Sequence, residues 1–561
     1  MKEYTLGLNP GIDGLNYHDP SVCLLDDNGI VLAIEEERLN GIRHSCGIFP
    51  EKSVAMCRKY ADQMGGVINN IAIGHQPNLW SQRSLPAKTV STVDMRMILA
   101  AKIKSLCLLP NSKVSFFEHH KAHAASAFYC SNFSEALCIV MDGAGEMASA
   151  SAWIANAKGL KKIDEIAMPN SLGYFYAQST SFLGFVPWSE EGKLMALAPY
   201  GKADTHLESI LRNFFSDGIY NLSSVVHPCL SEGYLLDTQI SNSIFQDIFK
   251  FQYRNKTSKI LDIHKSFAFL VQTYTEKAVE AYIRHLLKIT NQTYLCVAGG
   301  LFMNCKMNGY LRDNLPIKKL YVQPVSGDAG TALGAAFLQY MSNHKFQFFD
   351  LNGLSLGLSY SNAEILSAIN KYGCHYCYTE NVAQKAADML ASGKIIAWFQ
   401  GKSELGCRAL CHRSIIAPPH PLEISNLINK RIKHRETWRP FACSMLVEFA
   451  DEILQNYEKS QQPDYMIEAF VVQKEWQHKM DAVIHHGDCS TRPQIIRNEG
   501  STKIMYNMLS CYYKLTGYPM VLNTSLNDKG QPIIQTPEQA VRFFVEHDID
   551  ALVIENYVLR K

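Results

Sequence analysis

Three features of the sequence predict an α/β protein with a duplicated N-terminal unit and a smaller mixed α/β unit. Apolar strand text broken by a Gly-containing turn occurs twice, around Thr5–Ile34 and Ala136–Ala155. After the second copy, Ile263 to Leu287 has apolar residues at helical spacing with only short interruptions. At 561 residues the chain exceeds what one hydrophobic core usually serves, so two or more domains are expected.

Taken in order, Thr5–Asn9, Ser21–Leu25 and Ile30–Ile34 read as strands, with Asp26-Asp27-Asn28-Gly29 as the hairpin turn. A three-stranded meander followed by helices is how actin-like and sugar-kinase folds open. Ala136–Val140 and Ala150–Ala155 flank a Gly-rich turn and read as a second copy of that unit, or an offset part of it. Pro169 to Leu183 is predominantly helical. Thr293–Ala298 is a buried strand ending in Gly299-Gly300, where a nucleotide or its phosphates can approach the backbone. Asn304 and the Gly327-Asp328-Ala329-Gly330 turn, ahead of Ala-rich helical text, suit the same purpose. From Asn343 to Ser361 the text is Phe-, Gly-, Asn- and Ser-rich without helical period. A linker is therefore expected over 346–362, between domains spanning 1–345 and 363–561. Strands at Ile395–Phe399, Pro519–Leu522 and within Ala551–Leu559, with a helix at Ala540–Val545 after Pro537, predict a mixed α/β second domain.

Composition narrows the function. Apolar residues make up 47% and charged residues 19%, the balance of an ordinary soluble globular protein. The formal net charge of +1, with acids and bases interspersed, argues against a large polyanion-binding surface, so no nucleic-acid partner is expected. With no signal peptide at Met1–Leu6 and no apolar run long enough to span a bilayer, a cytoplasmic protein with no membrane partner is expected. The sixteen cysteines are scattered and read as reduced core residues. Neither Cys374/Cys377 nor Cys407/Cys411 is followed by a second pair at zinc-finger spacing, so no structural zinc is expected.

The chemistry is concentrated elsewhere. His119 and His123, four apart on one helix face, can hold a single metal ion between their imidazoles. Asp142 ends an apolar strand beside glycine, and Asp328 lies in a second Gly-framed turn; both can supply hard oxygen ligands. Two nitrogens, two oxygens and no thiolate suit Fe(II), Mn(II) or Zn(II) with positions open to substrate. His18 or Asp19, after the first strand, is the candidate general base. Glu35-Glu36-Glu37-Arg38 reads as a charge cluster at a helix N-terminus and is assigned no role. In the second domain, Gly401-Lys402-Ser403 resembles a P-loop tail, but Ile396 stands where its first glycine belongs. The anion signal is cationic: Arg408, His412, Arg413, Lys433, Arg435, Arg439 and Arg492, set among apolar text. Asn523 and Asn527 either contact a ligand or close an Asx turn.

These segments resemble, in order, the O-carbamoyltransferases of antibiotic and nodulation-factor biosynthesis. The matching motifs are Asn16-Tyr17-His18-Asp19-Pro20-Ser21, Glu35-Glu36-Glu37-Arg38, His119-His120-Lys121-Ala122-His123, Val140-Met141-Asp142-Gly143 and Leu194-Met195-Ala196-Leu197-Ala198-Pro199-Tyr200-Gly201. They continue through Gly299-Gly300-Leu301-Phe302-Met303-Asn304, Gly327-Asp328-Ala329-Gly330-Thr331, Arg408-Ala409-Leu410, Lys433 to Ala442 and Leu522 to Asn527. The resemblance implies an actin-like (ASKHA, duplicated RNase H-like) domain followed by a YrdC-like domain. It implies Fe2+ at His119, His123, Asp142 and Asp328, with carbamoyl phosphate bound by Arg408, Lys433 and Arg439. Nucleotide is assigned to Gly299, Gly300, Asn304, Gly327, Asn523 and Asn527, with Mg2+ accompanying ATP. Carbamoyl adenylate made in the second domain would then pass to a hydroxylated small-molecule acceptor in the first.

The chain departs from the family where Gly-Pro-Arg-Ala-Leu-Gly becomes Gly406-Cys407-Arg408-Ala409-Leu410-Cys411. If the last position needs a positive φ, Cys411 carries strain of about 1–2 kcal/mol. Two rivals stay open at this point: a tRNA-modifying transferase of the threonylcarbamoyl-adenosine type, and a non-catalytic ATP-binding actin-like scaffold. The acceptor is open too, with the insertion Gly201–Asp262 and its Tyr220, Tyr234 and Phe251 expected to shape its pocket. A homodimer is compatible with the chain.

Overall fold

The computed structural model describes residues 2–12, 15, 18–77, 92–216, 219–226, 228–229, 235–236, 238–460 and 463–561. Asn16, Tyr17 and Tyr234 lie outside these residues.

The first sheet comprises β1 (Lys2–Asn9), β2 (Ser21–Asp26), β3 (Gly29–Glu35), β4 (Gly66–Ile73) and β5 (Lys113–Phe116), in the order β3-β2-β1-β4-β5. β1, β2 and β3 form the expected antiparallel meander, while β4 and β5 add in parallel. The second sheet repeats the plan. Its strands β6 (Glu135–Gly145), β7 (Ala148–Asn156), β8 (Gly159–Ala167), β9 (Tyr294–Ala298) and β10 (Lys319–Val322) run in the order β10-β9-β6-β7-β8. Again three strands are antiparallel and two add in parallel to the first of them. This is the duplicated arrangement of an actin-like domain.

Helix α1 (His119–Ser131) leads into the second copy, and the helix Thr331–Met341 closes it. Both are rich in alanine and almost wholly buried, so their backbones can approach closely between the sheets. Their N-termini lie at the same end of the domain, which places the HxxxH pair beside the Asp328 turn. Helix α2 (Leu172–Phe182) and the 29-residue α3 (Asp262–Thr290) match the helical text. Among the described residues no helix is long and apolar enough to cross a membrane.

The third sheet is mixed, as its turn and strand spacing predicts. It contains β11 (Tyr376–Tyr378), β12 (Ile396–Phe399), β13 (Arg413–Ala417), β14 (Ala442–Leu446), β15 (Pro493–Ile496), β16 (Met520–Ser525), β17 (Ala551–Ile554) and β18 (Tyr557–Arg560). The order is β11-β18-β17-β12-β13-β16-β14-β15. The expected linker text is well packed. Phe349 stacks on Phe337 of the helix Thr331–Met341 with centroids 4.2 Å apart, and Leu351, Leu354 and Leu356 are buried. The Leu356 carbonyl accepts from Ala33 of β3, so apolar burial rather than a regular helix organises this segment.

Candidate active site

The two histidines project from the first turns of α1, whose start is held by the Glu146 carboxylate accepting from His119 N–H at 3.0 Å. The imidazole Nε2 atoms of His119 and His123 are 3.1 Å apart. Asp142 Oδ2 is 3.4 Å from His119 Nε2 and 3.2 Å from His123 Nε2. Asp328 Oδ1 is 3.5 Å from each. All four donors lie within 4.8 Å of one another, and His119, His123 and Asp328 are buried. Ligand bonds of about 2.0–2.2 Å put tetrahedral donors about 3.4 Å apart, so the set fits a divalent first-row ion. The second layer fits as well. His119 Nδ1 donates to the Gly74 carbonyl at 3.0 Å, which leaves its Nε2 as the ligand atom. The Asp142 Oδ1 atom is held by Gly143 N–H at 2.7 Å.

With protons in place of an ion, the charges are strongly coupled. Burial opposes a charge on His119, but Asp142 and Asp328 raise its pKa well above the imidazole range. The neighbouring imidazoles hold Asp328 well below the carboxylate range against its burial. His18 Nε2 approaches Asp328 Oδ2 at 3.3 Å, and its Nδ1 meets Asp19 Oδ2 at 3.0 Å. Although the half-exposed His18 ring loses part of its hydration, Asp328 and Asp19 raise its pKa to about 10. Asp19 is held from the other side by His44 Nδ1 at 2.8 Å.

Asn9, at the end of β1, was not singled out by its sequence signal, a lone amide closing an apolar strand. It is 1% exposed, and its Nδ2 donates to the carbonyls of His18 and Asp19 at 3.0 and 2.8 Å. Trp188 likewise carries no local sequence signal. It is 38% exposed in a left-handed conformation (φ 63°), and a Cβ at Gly143 would stand 2.9 Å from its indole ring. A strained non-glycine residue beside such a cluster marks a functional candidate. By contrast Tyr220 is buried, and Phe251 packs on Phe182 at 4.9 Å, so these expected pocket aromatics serve the core.

Gly299 and Gly300 adjoin the cluster. Gly299 has φ 100° and a Cβ there would meet the Met141 carbonyl at 2.2 Å; one on Gly300 would meet Asp142 Oδ1 at 2.9 Å. Gly327 precedes Asp328 and faces Met303. The Asn304 side chain caps the following helix at Met307 N–H and is tied to Gln272 at 2.9 Å.

The cations of the second domain separate into two sets. Arg413 is fully buried and donates to the carbonyls of Gln400, His412, Leu358 and Gly401, while His412 bonds the Gln400 carbonyl; both organise backbone. Lys433 donates to Asn527 O and Oδ1 at 2.9 and 2.7 Å, and burial depresses its pKa well below the usual lysine range. The Asn523 amide donates to Ala409 O at 3.1 Å and Ser444 Oγ at 2.9 Å. Lys433, Asn523 and Asn527 thus brace the loops around the site. Arg408, Arg435, Arg439 and Arg492 form the second set. Burial, then Arg439 and Arg492, lowers Arg435 to about 9; burial, then Arg408, lowers Arg492 to about 10. Glu436 lies 3.5 Å from Arg439 and shares its charge with Lys193. Nε atoms of Arg408 and Arg492 are buried without a hydrogen-bond partner. Cations gathered with so little compensation suit a polyanionic ligand.

The carbamoyltransferase N-terminus family model matches residues 85–337, and the carbamoyltransferase C-terminus model matches 387–561. An uncharacterized Synechocystis protein, sll1178, is 32% identical over 97% of this chain and 95% of its own length. Nodulation protein NolNO of Sinorhizobium fredii is 32% identical over 97% of this chain and 79% of its own. The solved structure of HypF from T. kodakarensis aligns with 12% identity and a TM-score of 0.33, covering 61% of this chain and 48% of that one.

Proposed function

This chain belongs to the carbamoyltransferase family, and from that premise we propose that it is an ATP-dependent O-carbamoyltransferase with two reactive sites. Carbamate is a poor electrophile because its nitrogen donates into the carbonyl, and activation as a mixed anhydride overcomes this. In the second domain, water cleaves carbamoyl phosphate to carbamate and phosphate, and a carbamate oxygen then attacks the α-phosphorus of ATP, breaking the α–β anhydride bond to give carbamoyl adenylate and pyrophosphate. The observation that carries this reading is the undercompensated set of Arg408, Arg435, Arg439 and Arg492, suited to the charge of phosphates. Lys433, Asn523 and Asn527 hold that site's loops in place.

The acceptor hydroxyl then attacks the carbamoyl carbon in the actin-like domain and AMP leaves. His119, His123, Asp142 and Asp328 would hold a divalent ion, Fe(II) by family resemblance with Mn(II) or Zn(II) also matching the donors, and such an ion would supply Lewis acidity toward the carbamoyl carbonyl. His18 in its neutral form would receive the acceptor proton, which requires that the Asp328 charge now holding its own proton be offset, while Asp19 and Asn9 fix the ring and its loop. Gly299 and Gly300 give the adenylate close access to backbone. Trp188 offers the acceptor an apolar face at the mouth of the cluster.

The test is pyrophosphate release dependent on carbamoyl phosphate, paired with mass detection of carbamoylated products from a panel of hydroxylated metabolites. Arg439→Ala should eliminate pyrophosphate release, while chemically supplied carbamoyl adenylate restores product. Failure of supplied adenylate to restore product would refute the two-site scheme.

A further inference from the structure

The Glu35-Glu36-Glu37-Arg38 run enters neither proposed site, yet two of its side chains reach one of them. Glu35 and Arg38 are 7% and 0% exposed, with their charged groups 3.7 Å apart. Gly406 N–H donates to Glu35 Oε1 at 2.6 Å, and the Arg38 guanidinium donates to the Gly406 carbonyl. Both backbone polar groups of one residue are thereby taken by side chains lying 371 and 368 residues earlier in the chain. Gly406 has φ 97°, a conformation open to glycine, and precedes Arg408 by two residues.

The far side of this loop is held from within its own domain. Glu404 Oε1 accepts from Leu410 and Arg413 N–H at 2.8 and 3.2 Å. The near side is held by the first sheet. A buried ion pair contributes little net stability compared with apolar side chains of similar volume. What the two charges provide here, and apolar groups could not, is a partner for each polar group of Gly406.

We propose that Glu35 and Arg38 are positioning residues for the anion-binding loop: they set Arg408 from the first sheet, so carbamoyl-phosphate chemistry in the second domain depends on the N-terminal domain being docked. The inference rests on the role proposed above for Arg408. Glu36 and Glu37 take no part, since Glu36 accepts from Ser53 and Glu37 from His44 N–H.

The test uses the full chain, comparing wild type with R38A, R38K and the double variant E35Q/R38M. Removing both charges together avoids leaving one buried and unpaired, so the double variant should keep its fold. Its kcat/KM for carbamoyl-phosphate-dependent pyrophosphate release should fall by about 10²-fold, mainly through KM for carbamoyl phosphate. Transfer from supplied carbamoyl adenylate should stay near wild type, and R38K should recover part of the loss. Backbone hydrogen exchange of a peptide spanning 404–412 should accelerate. Unchanged exchange in the double variant overturns the inference, as does an equal loss of both half-reactions, the mark of general destabilisation. Wild-type protein that releases no pyrophosphate would refute the functional reading instead, and exchange at 404–412 would then decide the clamp by itself.

Discussion

Nε2 of His18 lies 3.3 Å from Oδ2 of Asp328, so the proposed general base and a proposed metal ligand share one electrostatic interaction. In metal-free protein this interaction and that with Asp19 raise His18 from 6.5 to about 10, against a partial loss of hydration. A raised folded-state pKa contributes stability that is complete below pH 6.5 and is lost as pH rises through about 10. In chelator, His18→Ala should therefore lie furthest below wild type in Tm at pH 6, with the gap closing toward pH 10. A gap independent of pH contradicts the interaction.

Metal affinity should depend on pH in the opposite sense. His119 holds its proton well above the usual imidazole range, so an ion must displace it. Affinity for Mn2+ should rise about tenfold per pH unit for each proton released. Calorimetry in buffers of different ionisation enthalpy would count those protons. His119→Ala with His123→Ala should lose the ion and transfer activity while pyrophosphate release persists; unchanged metal content would sink the assignment.

Arg492→Met should move stability and binding in opposite directions. Burial and Arg408 both disfavour the Arg492 charge, so removing it should raise Tm in phosphate-free buffer. Phosphate should then give a smaller Tm increase than it gives wild type, because an anion contact is lost. A fall in Tm with phosphate stabilisation intact would assign Arg492 to structure.

Cys411 adopts φ 68°, and its thiol meets Gln494 Oε1 at 3.0 Å and Ser444 Oγ at 3.2 Å. Alanine and glycine both lose those contacts, but glycine alone releases the left-handed strain. Cys411→Gly should exceed Cys411→Ala in stability by about 1 kcal/mol, measured by urea unfolding. Equal stabilities would mean that the loop relaxes around a Cβ.

Trp188→Ala should raise KM for the acceptor at least about tenfold, the scale of a lost aromatic contact. Pyrophosphate release should be unaffected. Loss confined to pyrophosphate release would remove Trp188 from the acceptor cleft.

By itself the sequence determined the strand and helix plan and the chemical types at the candidate site. Local patterns are enough for that. Alternation and turn residues mark β1 to β3, helical spacing puts His119 and His123 on one face, and neighbouring glycines mark Asp142 near the end of β6 and Asp328 in its turn. Tertiary structure decided how identical side chains divide their work. Arg413 and Arg408 are five residues apart, yet backbone carbonyls surround the first and other cations the second. Asn9, Trp188 and the Glu35–Arg38 pair likewise acquire their surroundings from segments far along the chain. The physical reason is that a polar group's role depends on which partners fold against it, and those partners are set by packing rather than by neighbouring residues.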